Sequence, residues 1–202
     1  MSSAFWDERY QQPEYAYGDD ANAYFAEHLP APPHPGARLL LPCEGEGRNA
    51  VHAARLGWQV DAFDFSEFGR EKCRQLAARH RVAVNYELAD ARQYAYGEAQ
   101  YDAAALIFAH FPPQLRPWVH GRVAAALKPG GMLILEAFQP AQLQNSSGGP
   151  KTVDMLYDVP MLSRDFEGLQ CLEAATAEVT LNEGPYHQGK ADVVRFRAIK
   201  PG

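Results

Sequence analysis

The sequence contains no apolar run that approaches the roughly 20 residues needed to span a bilayer, so we expect no membrane partner. The N-terminus also lacks a basic segment followed by an apolar one, which argues against a secretory signal. Cysteine is scarce: Cys43, Cys73 and Cys171 lie far apart, without CxxC or metal-ligand spacing. This spacing excludes a disulfide framework and predicts no metal site. It also favours a reducing compartment, for which the cytoplasm is the expected location.

Basic residues are outnumbered, with 19 Lys and Arg against 25 Asp and Glu and a formal net charge of -6. Nucleic-acid binding needs a clustered basic surface. The densest basic stretch, Arg70 to Arg81, also contains a Glu, and its pattern is typical of a solvated helix face. We therefore expect no nucleic-acid partner. The sequence gives no indication of the oligomeric state.

Apolar runs alternate with helical patterns over much of the chain. Predicted strands cover 38–42, 58–64, 83–90, 101–108 and 132–138, and predicted helices cover 49–56, 66–80 and 114–127. Alternation of this kind favours a parallel sheet with helices on both faces. Near the end, only nine residues (182–190) separate two further strands, 174–181 and 191–199. A connection that short predicts an antiparallel hairpin, since a parallel crossover needs about a dozen residues.

These patterns predict an α/β fold, a Rossmann-like, doubly wound, mostly parallel seven-stranded sheet that ends in an antiparallel hairpin. We expect residues 1–202 to form a single domain. Residues 3–29 are too rich in aromatic side chains for a disordered tail, and a Pro-rich patch follows them. Residues 1–36 are therefore predicted to be a helical N-terminal lid and connector, with 37–202 as the core.

The stretch LLLPCEGEGRNAV (39–51) carries the strongest functional signal. Gly45 and Gly47 follow the first strand, where a ligand approaches the backbone closely. The pattern also fits G-x-G-x-x-A, which does not by itself separate cofactors. Glu44 and Glu46 would repel a pyrophosphate, whereas a sulfonium and an amino group would not suffer this repulsion. The turn therefore favours S-adenosylmethionine.

Two further acids end neighbouring strands of the predicted sheet. Asp64 ends the second strand, 17 residues after Gly47, where an acid can bind both ribose hydroxyls. Asp90 ends the third strand, where it could accept from an adenine amino group or act as a helix cap or turn residue. A nicotinamide-dependent oxidoreductase stays open, because the ribose acid serves both cofactors.

The order of motifs resembles class I S-adenosylmethionine-dependent methyltransferases, and within them the small tellurite-resistance-type group. The motifs that carry this resemblance span nearly the whole chain: FWDERY (5–10), EYAYG (14–18), GEGRNAV (45–51), DAFDFS (61–66), LAD (88–90), LKPGG (127–131) and GGP (148–150). The resemblance implies cofactor contacts from Trp6, Tyr10 and Tyr17, from Gly45, Gly47, Arg48 and Asn49, from Asp64, Phe65 and Ser66, from Asp90 and Ala91, and from Phe108 at the cofactor floor.

The sequence departs from the usual acid-x-Gly-x-Gly-x-Gly pattern at two positions. Cys43 stands at the first Gly and Leu41 at the acid. The acid normally pairs with the amino group of the cofactor's methionine part, so we expect Glu44 or Glu46 to replace it. The alternative is that both acids point to solvent.

Methyl transfer needs alignment and exclusion of water, and a protein base only for some acceptors. The candidate bases are His110, just after the fourth strand, and His187, in the predicted hairpin loop. Either histidine could instead be structural. Glu136, Tyr157 and Tyr186 could complete a pocket wall, although helix packing is the alternative for Tyr157.

The resemblance implies a small-molecule acceptor, either a thiol or a chalcogen oxyanion, with an amine next. A non-catalytic protein that binds S-adenosylmethionine or S-adenosylhomocysteine in a regulatory role is the other open alternative.

The ribose assignment predicts that Asp64→Ala abolishes cofactor binding, because the variant loses the acceptor for both ribose hydroxyls. Calorimetric titration with S-adenosylhomocysteine measures this loss, and NADH serves as the control ligand. Near-normal affinity in the variant would remove the assignment.

Overall fold

The structure of this chain is a computed structural model that describes residues 3–202, so Met1 and Ser2 of the predicted 1–36 segment lie outside the described residues. The chain forms two compact units. The first unit comprises Met1–Ala95 and Glu183–Tyr186, and the second comprises Tyr96–Asn182 and His187–Gly202. That residues 1–202 act as a single domain stays a prediction.

The first unit contains three parallel strands and four helices. Its elements are α1 (Ser3–Tyr10), α2 (Ala23–His28), β1 (Arg38–Pro42), α3 (Arg48–Arg55), β2 (Gln59–Asp64), α4 (Glu67–His80) and β3 (Asn85–Leu88). The register pairs Pro42 of β1 with Phe63 of β2, and Asp64 of β2 with Leu88 of β3. The carboxyl ends of the three strands therefore lie side by side, and the turn after β1 lies next to Asp64.

The second unit contains the remaining strands. Its elements are β4 (Tyr101–Ile107), α5 (Arg116–Ala126), β5 (Leu127–Phe138), two short 3-10 helices (Pro140–Gln144 and Val153–Met155), α6 (Val159–Asp165), β6 (Gln170–Glu183, whose last residue belongs to the first unit) and β7 (His187–Ile199). β4 runs parallel to β5, and β5 runs antiparallel to β7. The prediction of an α/β, Rossmann-like, mostly parallel seven-stranded sheet that ends in an antiparallel hairpin is confirmed.

Three boundaries differ from the sequence prediction. The stretch KPGG was predicted to end a helix, and it instead lies inside β5, with a register irregularity between Tyr101 and Ala103 of the partner strand. β3 covers only 85–88, so Asp90 lies beyond it. The hairpin turn is only 184–186, so the placement of His187 in a loop was wrong: it is the first residue of β7 and 4% exposed. The stretch NEGPYHQGK (182–190) contains Gly and Pro, which predicted a loop where β7 begins.

The helix ends follow local rules that the sequence displays. Ser66 caps α4, because its Oγ accepts from the backbone N–H of Gly69 at 3.2 Å. Gly57 follows the end of α3 with φ 100°, the left-handed conformation that glycine adopts at little cost. These two positions agree with the ends of the helices predicted over 49–56 and 66–80.

Gly47 serves packing as well as the turn. It has φ 90°, and a Cβ on it would collide with the Sγ, Cβ and Cα atoms of Cys73 on α4. We had expected a glycine here to leave room for a ligand. In this structure it lets the start of α3 approach α4.

This close approach predicts that Gly47→Ala lowers the free energy of unfolding by at least about 2 kcal/mol, from left-handed strain and overpacking together. Gly121→Ala is the control, since a Cβ on Gly121 in α5 meets nothing within 4 Å. That change should raise stability by about 0.5 kcal/mol or more through helix propensity. Urea unfolding measures both variants, and equal effects of the two changes would contradict the packing role.

Candidate functional site

The turn between β1 and α3 is built from alternating left-handed residues. Cys43 has φ 55°, Gly45 has φ 62° and Gly47 has φ 90°. A left-handed backbone favours glycine, which explains the glycines of the usual pattern, and Cys43 bears the conformation at the first position. The turn is held on the sheet, because the Gly45 carbonyl accepts from the Tyr86 hydroxyl at 2.6 Å.

Asp64 lies directly beside this turn at the end of β2. Its Oδ2 accepts from the backbone N–H of Gly45 at 3.3 Å, and its Oδ1 accepts from that of Ser66 at 3.0 Å. The residue is 6% exposed, and burial raises its pKa to about 6. A carboxylate has about four acceptor positions, so these oxygens can still accept from hydroxyl groups.

Glu44 turns back onto the start of α3 and does not point to solvent. Its Oε1 accepts from the backbone N–H of Ala50 at 2.7 Å, and its Oε2 accepts from Asn49 Nδ2 at 3.4 Å. Neither partner is a cation, and burial raises the pKa of Glu44 to about 7. A nearby positive charge would keep this carboxylate ionised.

Glu46 has a different role from Glu44. It is 5% exposed, its Oε1 lies 2.7 Å from Lys72 Nζ, and its Oε2 accepts from the backbone N–H of Ala16 at 2.7 Å. Burial raises the pKa of Glu46 in spite of the lowering effect of Lys72. Glu46 is buried and already paired with a cation, Lys72, so the solvent alternative is wrong for Glu46, and Glu44, whose hydrogen-bond partners are neutral, is the acid suited to meet an ammonium.

Residues 3–28, the N-terminal strap, are held by the turn and by α4. Arg48 NH1 donates to the Tyr17 carbonyl at 3.0 Å, and Asn49 Oδ1 accepts from the backbone N–H of Asn22 at 3.0 Å. Lys72 Nζ also donates to the Glu14 carbonyl at 2.6 Å. Arg48 and Asn49, which the resemblance placed at the cofactor, therefore hold the strap in this structure.

The strap carries the predicted aromatic cluster. The rings of Trp6 and Tyr10 stack with centroids 5.4 Å apart. Arg9 donates to the Tyr17 hydroxyl at 2.7 Å, and its guanidinium lies 4.2 Å from the Tyr186 ring centroid. The Tyr10 hydroxyl lies against Gly45, since a Cβ there would be 2.6 Å from it. The prediction of an aromatic-rich N-terminal helical segment is confirmed.

A contact between α1 and the N-cap of α4 engages Ser66, two residues after Asp64. Ser66 Oγ donates to Asp7 Oδ1 at 2.6 Å, while Phe65 is half-buried. Asp90 is a turn residue in this structure, because its Oδ1 accepts from the backbone N–H of Arg92 at 2.7 Å. Ala91 is buried. The adenosine roles of these residues stay predictions.

In the second unit, two predicted residues come together in an aromatic cluster. Phe108 follows β4 with φ 52° and stacks on Phe138, with ring centroids 4.5 Å apart. His187 meets both rings edge-on, at 4.7 Å from Phe108 and 5.3 Å from Phe138. A left-handed backbone at a residue with a large side chain is strained, and such strain clusters at functional sites.

His110 is not positioned to act as a general base in this structure. Its Nδ1 lies 2.7 Å from the Met155 carbonyl, and its Nε2 accepts from the backbone N–H of Phe138 at 3.2 Å. This network assigns a neutral ring that donates from Nδ1. Burial lowers its pKa to about 4. The structural alternative for His110 therefore describes the geometry better than the catalytic one.

Tyr157 has the packing role that was its alternative. Its hydroxyl accepts from the backbone N–H of Phe111 at 2.6 Å and donates to the Ala109 carbonyl at 3.1 Å. Glu136, 2% exposed, accepts from Arg195 Nε at 2.7 Å.

Two buried polar groups were missed by the sequence analysis. Lys72 lies in the basic stretch that was predicted to be a solvated helix face, yet it is 9% exposed and pairs with Glu46. In the second unit, Asp165 Oδ2 lies 2.7 Å from Arg116 Nε and 2.8 Å from His120 Nδ1. The only sequence signal for the second group was the four-residue spacing of Arg116 and His120 on one helix face.

A glycine turn after the first strand of a mostly parallel sheet, with an acid at the end of the next strand, defines a fold that binds a nucleotide-type cofactor. Within it, residues 41–131 match a family model described as "Methyltransferase domain". No protein of curated function matches the chain in sequence.

Several solved structures share the fold at low sequence identity. One, described as the conversion of a disulfide bond into a thioacetal group during echinomycin biosynthesis, is 14% identical; the alignment covers 98% of this chain and 89% of that one, with a TM-score of 0.75. TehB from Haemophilus influenzae is 17% identical, with 82% and 58% covered and a TM-score of 0.66. Magnesium protoporphyrin IX methyltransferase (ChlM) from Synechocystis PCC 6803, solved with bound SAM, is 16% identical, with 82% and 71% covered and a TM-score of 0.60.

The domain match confirms the prediction of a methyltransferase. The structure of this fold solved with bound SAM supports the predicted cofactor, S-adenosylmethionine. Within residues 3–202, no group of three or more His, Cys, Asp or Glu could hold a metal ion. The same residues include no helix with the length and apolar character that crossing a membrane requires.

The buried pair of Glu46 and Lys72 predicts a large cost when one partner is removed. Lys72→Met should lower the free energy of unfolding by about 3 kcal/mol, because it leaves a buried carboxylate without its cation. Hydrogen exchange at the Ala16 amide should accelerate as well. Arg74→Met is the control: its pair with Glu71 is exposed, so its loss should leave the free energy of unfolding almost unchanged. Equal costs for the two variants would contradict the anchoring role.

Proposed function

We propose that this protein transfers a methyl group from S-adenosylmethionine to a small molecule with a soft nucleophile, either a thiol or a chalcogen oxyanion. The observation that carries the acceptor class is the main-chain bonding of both His110 nitrogens. A base that is fully engaged cannot take a proton from a hydroxyl or an amine. A thiolate or an oxyanion is already deprotonated and needs none.

The residues around the glycine turn fit this cofactor by their chemistry. In the proposal, Asp64 accepts from the ribose hydroxyls, and its two main-chain donors orient it for this. Glu44 receives the ammonium of the amino-acid part, replacing the acid that Leu41 lacks. When bound, S-adenosylmethionine supplies a methyl group already activated by a sulfonium.

The strap supports an enclosed site. Tyr10 lies over Gly45, and Trp6 and Tyr17 surround the Arg9 side chain. We propose that this strap excludes water from the cofactor, which strengthens the electrostatic contacts of Glu44 and Asp64.

The acceptor side is proposed from the cluster of Phe108, Phe138 and His187. Aromatic rings offer apolar contact to a polarisable sulfur, selenium or tellurium atom. One fold neighbour is consistent with this class, since its description names a disulfide bond and a thioacetal group, and the motifs of this chain resemble the tellurite-resistance-type group. An amine is the next acceptor to test. We also propose a cytoplasmic location, which is compatible with three free cysteines among the described residues.

The absence of an available protein base at His110 predicts how the rate depends on pH. With a thiol acceptor, kcat/KM should rise with pH up to the pKa of that thiol and then level off. An aromatic thiol of low pKa and an aliphatic thiol of high pKa should therefore give profiles displaced by the difference between their pKa values.

The same inflection for both thiols would contradict the proposal, because it would report a titrating group of the protein. S-adenosylhomocysteine binding without transfer to thiols, selenite, tellurite or amines would favour the non-catalytic alternative. Binding of NADH instead would favour the oxidoreductase.

A further inference from the structure

Glu183 reaches the cofactor turn from the far end of the sequence. It is the last residue of β6, and its Oε2 lies 3.0 Å from Arg48 NH2, with only 8% of the Arg48 side chain and 14% of the Glu183 side chain exposed. Its Oε1 accepts from Asn22 Nδ2 at 3.1 Å. One carboxylate therefore joins the hairpin tip to the strap and to the first residue of α3.

These contacts continue from Glu183 to Glu44 through two amides. Asn22 Oδ1 caps α2 by accepting from the Phe25 N–H at 2.9 Å, so its Nδ2 is the end that meets Glu183. The Asn22 main-chain N–H fixes Asn49 Oδ1, and this leaves Asn49 Nδ2 to face Glu44 Oε2. The orientation of each amide is thus determined by its neighbour, from the hairpin tip to the acid in the turn.

Glu183 is also the carboxylate with which the Arg48 guanidinium forms its ion pair. Arg48 lies four residues after Glu44 and already acts electrostatically on it. While Glu183 and the Tyr17 carbonyl hold the guanidinium, it forms its ion pair away from Glu44. Without the Glu183 carboxylate, Arg48 could turn to Glu44 and compete for the same oxygens as a ligand ammonium.

We propose that Glu183 is a positioning residue for cofactor binding: by holding Arg48 and Asn22, it keeps the Glu44 carboxylate available to the ammonium of the cofactor's amino-acid part. This inference rests on the proposed function, in which Glu44 is the partner of that ammonium. It assigns a role in the cofactor site to a residue 135 positions away from Arg48 in sequence.

The test compares two ligands that differ in the amino-acid part, which carries the ammonium. S-adenosylhomocysteine carries the amino-acid part, and methylthioadenosine has the same nucleoside and thioether without it. In Glu183→Gln, the Kd for S-adenosylhomocysteine should rise about tenfold, while that for methylthioadenosine should change less than about twofold. Calorimetry on the full chain measures both values.

Two further variants test whether the effect of Glu183→Gln acts through Glu44. Glu178→Gln is the control, because Glu178 lies on the same strand in an exposed pair with Lys190, and it should alter neither Kd. Glu44→Gln should reproduce the selective loss of Glu183→Gln. In the double variant the two losses should not add, since both changes act on one carboxylate.

Each outcome decides a different claim. If Glu183→Gln weakens both ligands equally, or weakens neither, the positioning role is overturned while the proposed function stands. If the folded wild-type protein binds neither ligand, the proposed function fails and this inference fails with it.

Discussion

The buried carboxylate of Glu46 is the constraint on which the first unit depends. A carboxylate that loses water needs a cation and hydrogen-bond donors to stay ionised. Lys72 and the Ala16 amide supply them from α4 and from the strap. A single side chain in the turn thereby joins β1, α3, α4 and the N-terminal strap. Together with the contacts of Arg48, Asn49 and Ser66, this junction fixes the strap that brings the aromatic residues of α1 to the glycine turn.

Glu44 and Glu46, the two acids of the turn, therefore have different roles, although the sequence alone does not distinguish them. Glu46 uses both oxygens for the fold, whereas the partners of Glu44 are a main-chain amide and an asparagine. A half-buried acid with neutral partners is poorly stabilised by itself and is suited to a cationic ligand. Arg48 and Asn49 also have a structural role: they belong to a motif that resembles a cofactor-binding one, and they hold the strap.

Elements that carry short-range sequence signals could be predicted from the sequence. Contacts between residues that are far apart in the sequence could not. The apolar run of β1, the cap Ser66 and the acid at the end of β2 all carry short-range signals. In the sequence, Lys72 cannot be told apart from the exposed basic residues around it. Only its ion pair with Glu46, which lies far away in the sequence, distinguishes it. His110 was placed correctly just after the fourth strand, whereas His187 was placed in a loop and is the first residue of β7. Their partners, a carbonyl from Met155 for His110 and two phenylalanine rings for His187, come from segments that periodicity does not relate.

The hairpin tip has a consequence for the synthesis of the chain. Glu183–Tyr186 belongs to the first unit, so that unit is not complete when Ala95 has been made. Its ion pair with Arg48 can form only after the chain has been synthesised through β6. Contacts of such long sequence separation form late and slow folding. Glu46, Lys72 and Asn49 can already hold the nascent strap by then, so the contact between Arg48 and Glu183 is the last one to be added at the cofactor turn.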